Sequence, residues 1–247
     1  MLATKSLAAD SIPAQPAQKD ARRIAMVVYP GMTALDLIAP QLIFASLGDT
    51  DVQLVWRDRN TIVSDTGVPI VPTQSFDDVR VGLTAVFVPG GSNSWAMMND
   101  PKIVAFLQRV GPSAKYVTSV CTGSLILGAA GLLRDYRATT HWVVHNVLGT
   151  LGAIPVTQRV VVDRNRITGA GVTAGMDFGL TIAAKLRSED YARTLQLMYE
   201  YDPQPPFDAG TESKAGPIID GRARSIFASL IASNQQQAAI ARKRLAL

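Results

Sequence analysis

A chain of 247 residues with 47% hydrophobic side chains can build one large packed domain and is too apolar for a disordered one. The net charge of +4 is slight, and its densest basic clusters, Arg22-Arg23 and Arg242-Lys243-Arg244, lie near the ends, so no nucleic-acid surface is expected. The single cysteine, Cys121, excludes an internal disulfide and a cysteine-rich zinc site and suits a reducing cytoplasm, and the absence of any run of about 18 apolar residues argues against a membrane span.

Residues 1–21 are rich in Ala, Pro, Gln and Asp and lack the apolar core of a signal peptide, so they read as a disordered leader. The continuous apolar run over 24–30 predicts a central parallel strand covered on both faces, ended by Pro30-Gly31. Thr33 is placed to cap a helix over 35–47, with Pro40 near its first turn or kinking it. A second strand is expected over 51–58, and a hairpin excursion over 60–76. Another buried strand over 83–88 ends at Pro89-Gly90-Gly91, and a helix follows over 99–110.

The stretch over 116–128, YVTSVCTGSLILG, is a strand that turns abruptly at Cys121 into a helix of small and apolar residues. A short strand over 137–142, a short helix over 145–151 and two strands around a turn at 163–165 come next. Gly171 opens a helix running to 186, another helix spans 189–201, Pro203 and Pro206 break it, and a terminal helix is expected over 226–245. Strands alternating with helices predict a doubly wound, mostly parallel, flavodoxin-like α/β sheet sandwiched by helices. We assign this single α/β domain to 22–210 and a helical extension to 211–247.

Ligands in such sheets bind beyond the carboxyl ends of the strands, where Asp36, Gly90-Gly91, Cys121 and His141 all fall. A thiol at a strand-to-helix turn meets the new helix's N–H groups and the positive end of its dipole, which favours thiolate. Asp36 is a carboxylate within an apolar helix face: either an ordinary first-turn acid or, beside a thiol, a proton shuttle with a raised pKa. Gly90 and Gly91 form either a simple turn or, with the Thr122 N–H, an oxyanion hole. His141 and His145 have metal-like spacing, but no Asp or Glu in their segment completes a ligand set, so no metal is expected. His141 is read as a partner or orienter of Cys121, and His145 as a surface or packing residue. The run Gly169-Ala170-Gly171-Val172-Thr173-Ala174-Gly175 is one residue too long for a dinucleotide fingerprint and is read as close helix–sheet packing, with Thr173 and Asp177 lining the pocket floor.

Taken together, YPG at 29–31 through LDL at 35–37, VPGG at 88–91, YVTSVCTGSLILGAAGLL at 116–133, RATTHW at 137–142, LGAIP at 151–155, TGAGVTAGMDF at 168–178 and PPFD at 205–208 resemble the PfpI-type branch of the class I glutamine-amidotransferase-like superfamily. Within it, Asp36 and the threonine after the cysteine are similar to the isonitrile-hydrating group. The resemblance implies Cys121 as nucleophile, Asp36 as acid/base carboxylate and Thr122 as assisting threonine. It also implies a homodimer, no cofactor, a small-molecule isonitrile substrate and no nucleic-acid or membrane partner. Related regulators append a DNA-binding module of two helix-turn-helix units, for which residues 209–247 are too short. The rival activities are a glyoxalase- or deglycase-like enzyme acting on α-oxoaldehydes, a peptidase using His141 as base, and a cysteine redox sensor.

Overall fold

The computed structural model describes residues 21–247; residues 1–20, which carry the expected leader, lie outside the described residues. The strands are β1 (Arg22–Val27), β2 (Thr50–Trp56), β3 (Ile62–Val63), β4 (Pro69–Ile70), β5 (Gln74–Ser75), β6 (Ala85–Val88), β7 (Tyr116–Val120), β8 (Arg137–Ala138), β9 (Ile154–Pro155), β10 (Val160–Asp163) and β11 (Arg166–Gly169). The helices are α1 (Ala34–Ala45), α2 (Ser94–Met97), α3 (Pro101–Val110), α4 (Gly123–Ala129), α5 (Val147–Thr150), α6 (Ala174–Leu186), α7 (Glu189–Met198), α8 (Glu212–Ile226) and α9 (Ala228–Arg244). Seven strands form one sheet in the order β10-β11-β7-β6-β1-β2-β5, and only the β10–β11 pair is antiparallel. This is the expected doubly wound α/β architecture.

The central strands are apolar because both sheet faces are covered. Ile24 to Val28 and Ala85 to Val88 are fully buried. Phe44 of α1, Phe87 of β6 and Phe178 of α6 pack together on one face of the sheet, with ring centroids 5.5–6.1 Å apart. Each such pair is worth about 0.5–1.5 kcal/mol beyond its buried area.

Helices α1 and α6 lie on one another, and Gly175 of the predicted run, with Gly179 beyond it, makes room for that contact. A Cβ at Gly175 would stand 3.2 Å from Pro40 Cδ, and one at Gly179 only 2.7 Å from Ile43 Cγ1. Gly169 does serve the expected helix–sheet packing: its absent Cβ would stand 2.9 Å from Val120 Cγ1 of β7 and 3.4 Å from Phe178 Cβ of α6. Pro40 lies inside a helix that stays continuous.

Two other local expectations are corrected and two are extended. Thr33 stands at the α1 N-cap, but its hydroxyl donates to Asp65 Oδ2 at 2.5 Å rather than capping the helix. The excursion over 60–76 is a β3–β4 hairpin whose exit, β5, rejoins the main sheet parallel to β2. The strand expected over 137–142 stops at Ala138, because buried Thr139 and Thr140 turn to bond Thr168 and Cys121, and His141 starts a 3₁₀ turn over Trp142–Val144. Finally, the helical extension over 211–247 begins with α8, ahead of the terminal helix expected over 226–245, and the α8 backbone breaks at Gly216, with φ 72°, next to Pro217.

Candidate active site

Strands β1, β6 and β7 are neighbours in the sheet, so the loops leaving their carboxyl ends converge. They carry Asp36, Gly90-Gly91 and Cys121. Cys121 sits in the left-handed region, φ 55°, a conformation that costs a non-glycine residue and persists only when its surroundings enforce it. Its N–H donates to Ala170 O at 2.8 Å and Gly169 O at 3.1 Å, and its carbonyl accepts the Thr140 hydroxyl at 2.8 Å. Beneath it, the Ser124 hydroxyl lies 2.8 Å from that of Ser119 and donates to Thr139 O at 2.7 Å. Gly123 admits the elbow because a Cβ there would lie 2.1 Å from Val88 O.

Asp36 is fully buried. Its Oδ2 accepts the Gly90 N–H at 2.9 Å, and Oδ1 has no oxygen or nitrogen partner. The Cys121 thiol neighbours the carboxyl, near enough that each group shifts the other's pKa. Burial pushes Asp36 up to about 7, against the pull of the Cys121 and Gly90 hydrogen bonds. Burial and the nearby Asp36 charge also push the Cys121 thiol up, against a smaller opposing pull from the backbone at Thr122 and Val172. This corrects the expectation of a resting thiolate. A seven-residue helix with a sealed thiol does not overcome desolvation, and burial disfavours a charge on either group.

Gly90 and Gly91 press against the elbow, and a Cβ on Gly90 would lie 2.5 Å from Thr122 N. Their N–H groups are engaged within the protein: Gly90 with Asp36, and Gly91 with Thr122 Oγ1 at 3.0 Å. Thr122 thereby ties the β6 loop to the nucleophile loop.

His141 lines the same cavity as Cys121. Burial pushes it down to about 4, so it is neutral near pH 7, and its Nδ1 accepts the Val143 N–H at 3.4 Å. Gly171 makes room for its ring, whose Cδ2 lies 2.8 Å from where a Cβ would stand. His145 lines a neighbouring cavity of about 790 Å³ instead, as does Thr173. Asp177 binds Arg159 at 2.7 Å and the Tyr201 hydroxyl at 2.8 Å, so neither Thr173 nor Asp177 floors the Cys121 cavity.

The Cys121 cavity measures about 540 Å³. Asp65 and Ser92 stand on its polar side, and Trp95, Val172, Phe227 and Leu230 on its apolar side. No Lys or Arg lines it. Sequence reasoning missed Asp65, which long-range folding delivers, and the α8–α9 residues, which carry no chemical signature. It also passed over Tyr29, buried below the site with its hydroxyl donating to Pro89 O at 3.1 Å.

Residues 22–185 match the family model described as the DJ-1/PfpI family. The chain belongs to the DJ-1/PfpI family. It is 48% identical over 204 residues to the isonitrile hydratase of Pseudomonas putida, covering 83% of this chain and 89% of that protein. The crystal structure of a THiJ/PfpI family protein from Pseudomonas syringae superposes with a TM-score of 0.87 at 44% identity, covering 94% of this chain and 99% of that one. A deglycase of Pyrococcus horikoshii is more distant, 28% identical over 119 residues, covering 48% of this chain and 72% of its own.

Proposed function

We propose that this protein hydrates isonitriles, R–N≡C, to N-substituted formamides, R–NH–CHO. The observation that carries the reading is a fully buried carboxyl, Asp36, beside the buried thiol of Cys121, which opens on a mostly apolar cavity. The terminal carbon of an isonitrile must gain both a nucleophile and a proton, and one buried pair with one proton supplies both. The identity to a protein named isonitrile hydratase supports the same substrate class.

In the first step the Asp36 carboxylate accepts the thiol proton as the sulfur bonds the terminal carbon. Asp36 then passes that proton to the same carbon, giving the thioimidate R–N=CH–S–Cys121. Asp36 next takes a proton from water as the hydroxyl adds to that carbon, and passes that proton to the nitrogen. The C–S bond breaks, the hydroxyl proton returns to sulfur, and the formamide leaves. The Gly90 N–H holds the carboxyl in line. Thr122, at the cavity wall with its hydroxyl accepting the Gly91 N–H, positions water. His141, neutral and packed, shapes the wall. The scheme calls on no cofactor, metal, nucleic acid or membrane, and a reducing cytoplasm would keep the thiol free.

The test is formamide production from cyclohexyl isocyanide, followed by NMR. Turnover is expected in the native protein and none in Cys121→Ala; near-native hydration by that variant would refute the scheme. Faster consumption of methylglyoxal than of the isonitrile would favour the α-oxoaldehyde reading. We further propose a homodimer, supported by the exposed apolar stripe of Leu35, Ile38 and Leu42 on α1. Sedimentation should give a dimer, and Ile38→Glu a monomer.

A further inference from the structure

The family match ends at residue 185, yet Phe227 and Leu230 line the Cys121 cavity. Both come from the α8–α9 junction. The Phe227 ring meets the His141 ring edge-on, with centroids 5.4 Å apart, and Phe227 and Leu230 both pack partly buried on the core. Helix α9 is pinned to the α/β body. Ala238 and Ala241 are fully buried, Asn99 donates to Gln237 O at 2.9 Å, and Arg244 donates to Ala129 O at 2.7 Å. The junction is therefore held at a fixed height above the thiol.

From this placement we infer that Phe227 and Leu230 are specificity-determining residues: they roof the cavity and set the size of the nitrogen substituent that the enzyme accepts. The inference rests on the hydratase reading for its substrate class, neutral apolar alkyl isonitriles. The chemistry faces the roof from below, where the sulfur needs only the terminal carbon. The substituent must then point away from the sulfur, towards the apolar wall. A side chain there acts on binding rather than on bond making, so its removal changes KM more than kcat. One methylene of misfit in an apolar pocket is worth about tenfold or more in discrimination.

Two measurements on Phe227→Ala, Leu230→Ala and the conservative Phe227→Leu test the inference. The first is kcat/KM for methyl, cyclohexyl and adamantyl isocyanide. The adamantyl-to-methyl ratio is expected to rise about tenfold or more in each alanine variant, chiefly through KM, with Phe227→Leu intermediate. The second is the alkylation rate of Cys121, the sole thiol, by iodoacetamide and by N-cyclohexyl-iodoacetamide. Here the bulky-to-small ratio should rise in parallel. Ratios within about twofold of native in both measurements, in variants with native-like melting curves, would overturn the roof. Should an alanine variant fail to fold, Phe227→Leu decides by the same ratios. A shifted alkylation ratio without isonitrile turnover by the native protein would support the roof and overturn the hydratase reading.

Discussion

The Cys121 elbow and helix α8 are opposites. At the elbow, Cys121 is bonded through both its N–H and its carbonyl, Ser119 and Ser124 bond one another, and a missing Cβ at Gly123 is all that separates α4 from Val88. In α8 no residue is buried. The strap there is Arg224, which binds Glu212 and, at 3.0 Å, Asp220, and lies over the Trp142 ring at 4.8 Å. Between them lies the cavity, with its reacting atoms from the first region and part of its wall from residues just beyond the second. Reaction chemistry tolerates little displacement, so it is built where backbone and side chains leave no alternative. Substrate fit can be retuned by one side chain and needs no such framework.

Substituting one glycine in each region gives the sharpest contrast, and the larger effect belongs to the elbow. In Gly123→Ala the new methyl would meet the Val88 carbonyl at 2.1 Å. That contact is with backbone, so a rotamer change does not relieve it. The expected loss exceeds about 4 kcal/mol, read as insoluble protein or a melting temperature lower by roughly 10 °C or more. A native-like melting curve would mean that the elbow is less rigid than its packing implies.

Asp36→Asn comes next. Turnover should fall by about 10²–10⁴-fold or more, since the proton relay is lost. In the native protein kcat/KM should rise with pH through about 7, as the pair goes from two protons to the single proton the scheme needs. That inflection should vanish in the variant. Stability should move the other way. Asp36 has an ordinary pKa of 3.8 and is raised to about 7 in the folded protein. The unfolded chain therefore releases the proton first, and stability falls as pH climbs from about 4 to about 7, then levels. Above pH 7 the full cost approaches about 4 kcal/mol. Asp36→Asn should accordingly melt at higher temperature than the native protein at pH 8, with the gap closing near pH 4. An unchanged gap would show that the carboxyl is better solvated than its burial indicates.

The same contrast governs what the sequence revealed. The continuous apolar runs of β1 and β6 announced a covered parallel sheet, and the lone cysteine between a strand and Thr-Gly announced the elbow. Asp36 and Cys121 were legible because both follow strand ends, where a doubly wound sheet collects its ligands. The raised pKa of Asp36 was one of two readings the sequence left open, but the protonated thiol was not legible. A helix dipole is visible in sequence, whereas the desolvation that outweighs it depends on packing from α1 and the β6 loop. Gly90 and Gly91 looked like free donors, since nothing local shows that their N–H groups already serve Asp36 and Thr122. Phe227 and Leu230 left no trace, because an apolar residue in a late helix reads the same whether it packs on a core or faces a substrate.

Gly221→Ala and Arg224→Ala carry the comparison to its small end. Position 221 lies in α8 with no atom within 4 Å of an added Cβ, so the methyl meets nothing. Alanine restricts the unfolded chain and favours the helix, which should stabilise α8 by about 0.5–1 kcal/mol. Arg224→Ala removes partially exposed ion pairs and a cation–ring contact. Solvent screening limits its cost to about 1 kcal/mol. Global melting should barely register either change. Amide exchange over 212–226 should slow in the first variant and quicken in the second, while the protection of β7 and α4 stays constant. If Arg224→Ala instead lowered protection at the elbow, α8 would be coupled to the catalytic framework, and the division of labour between the two regions would be wrong.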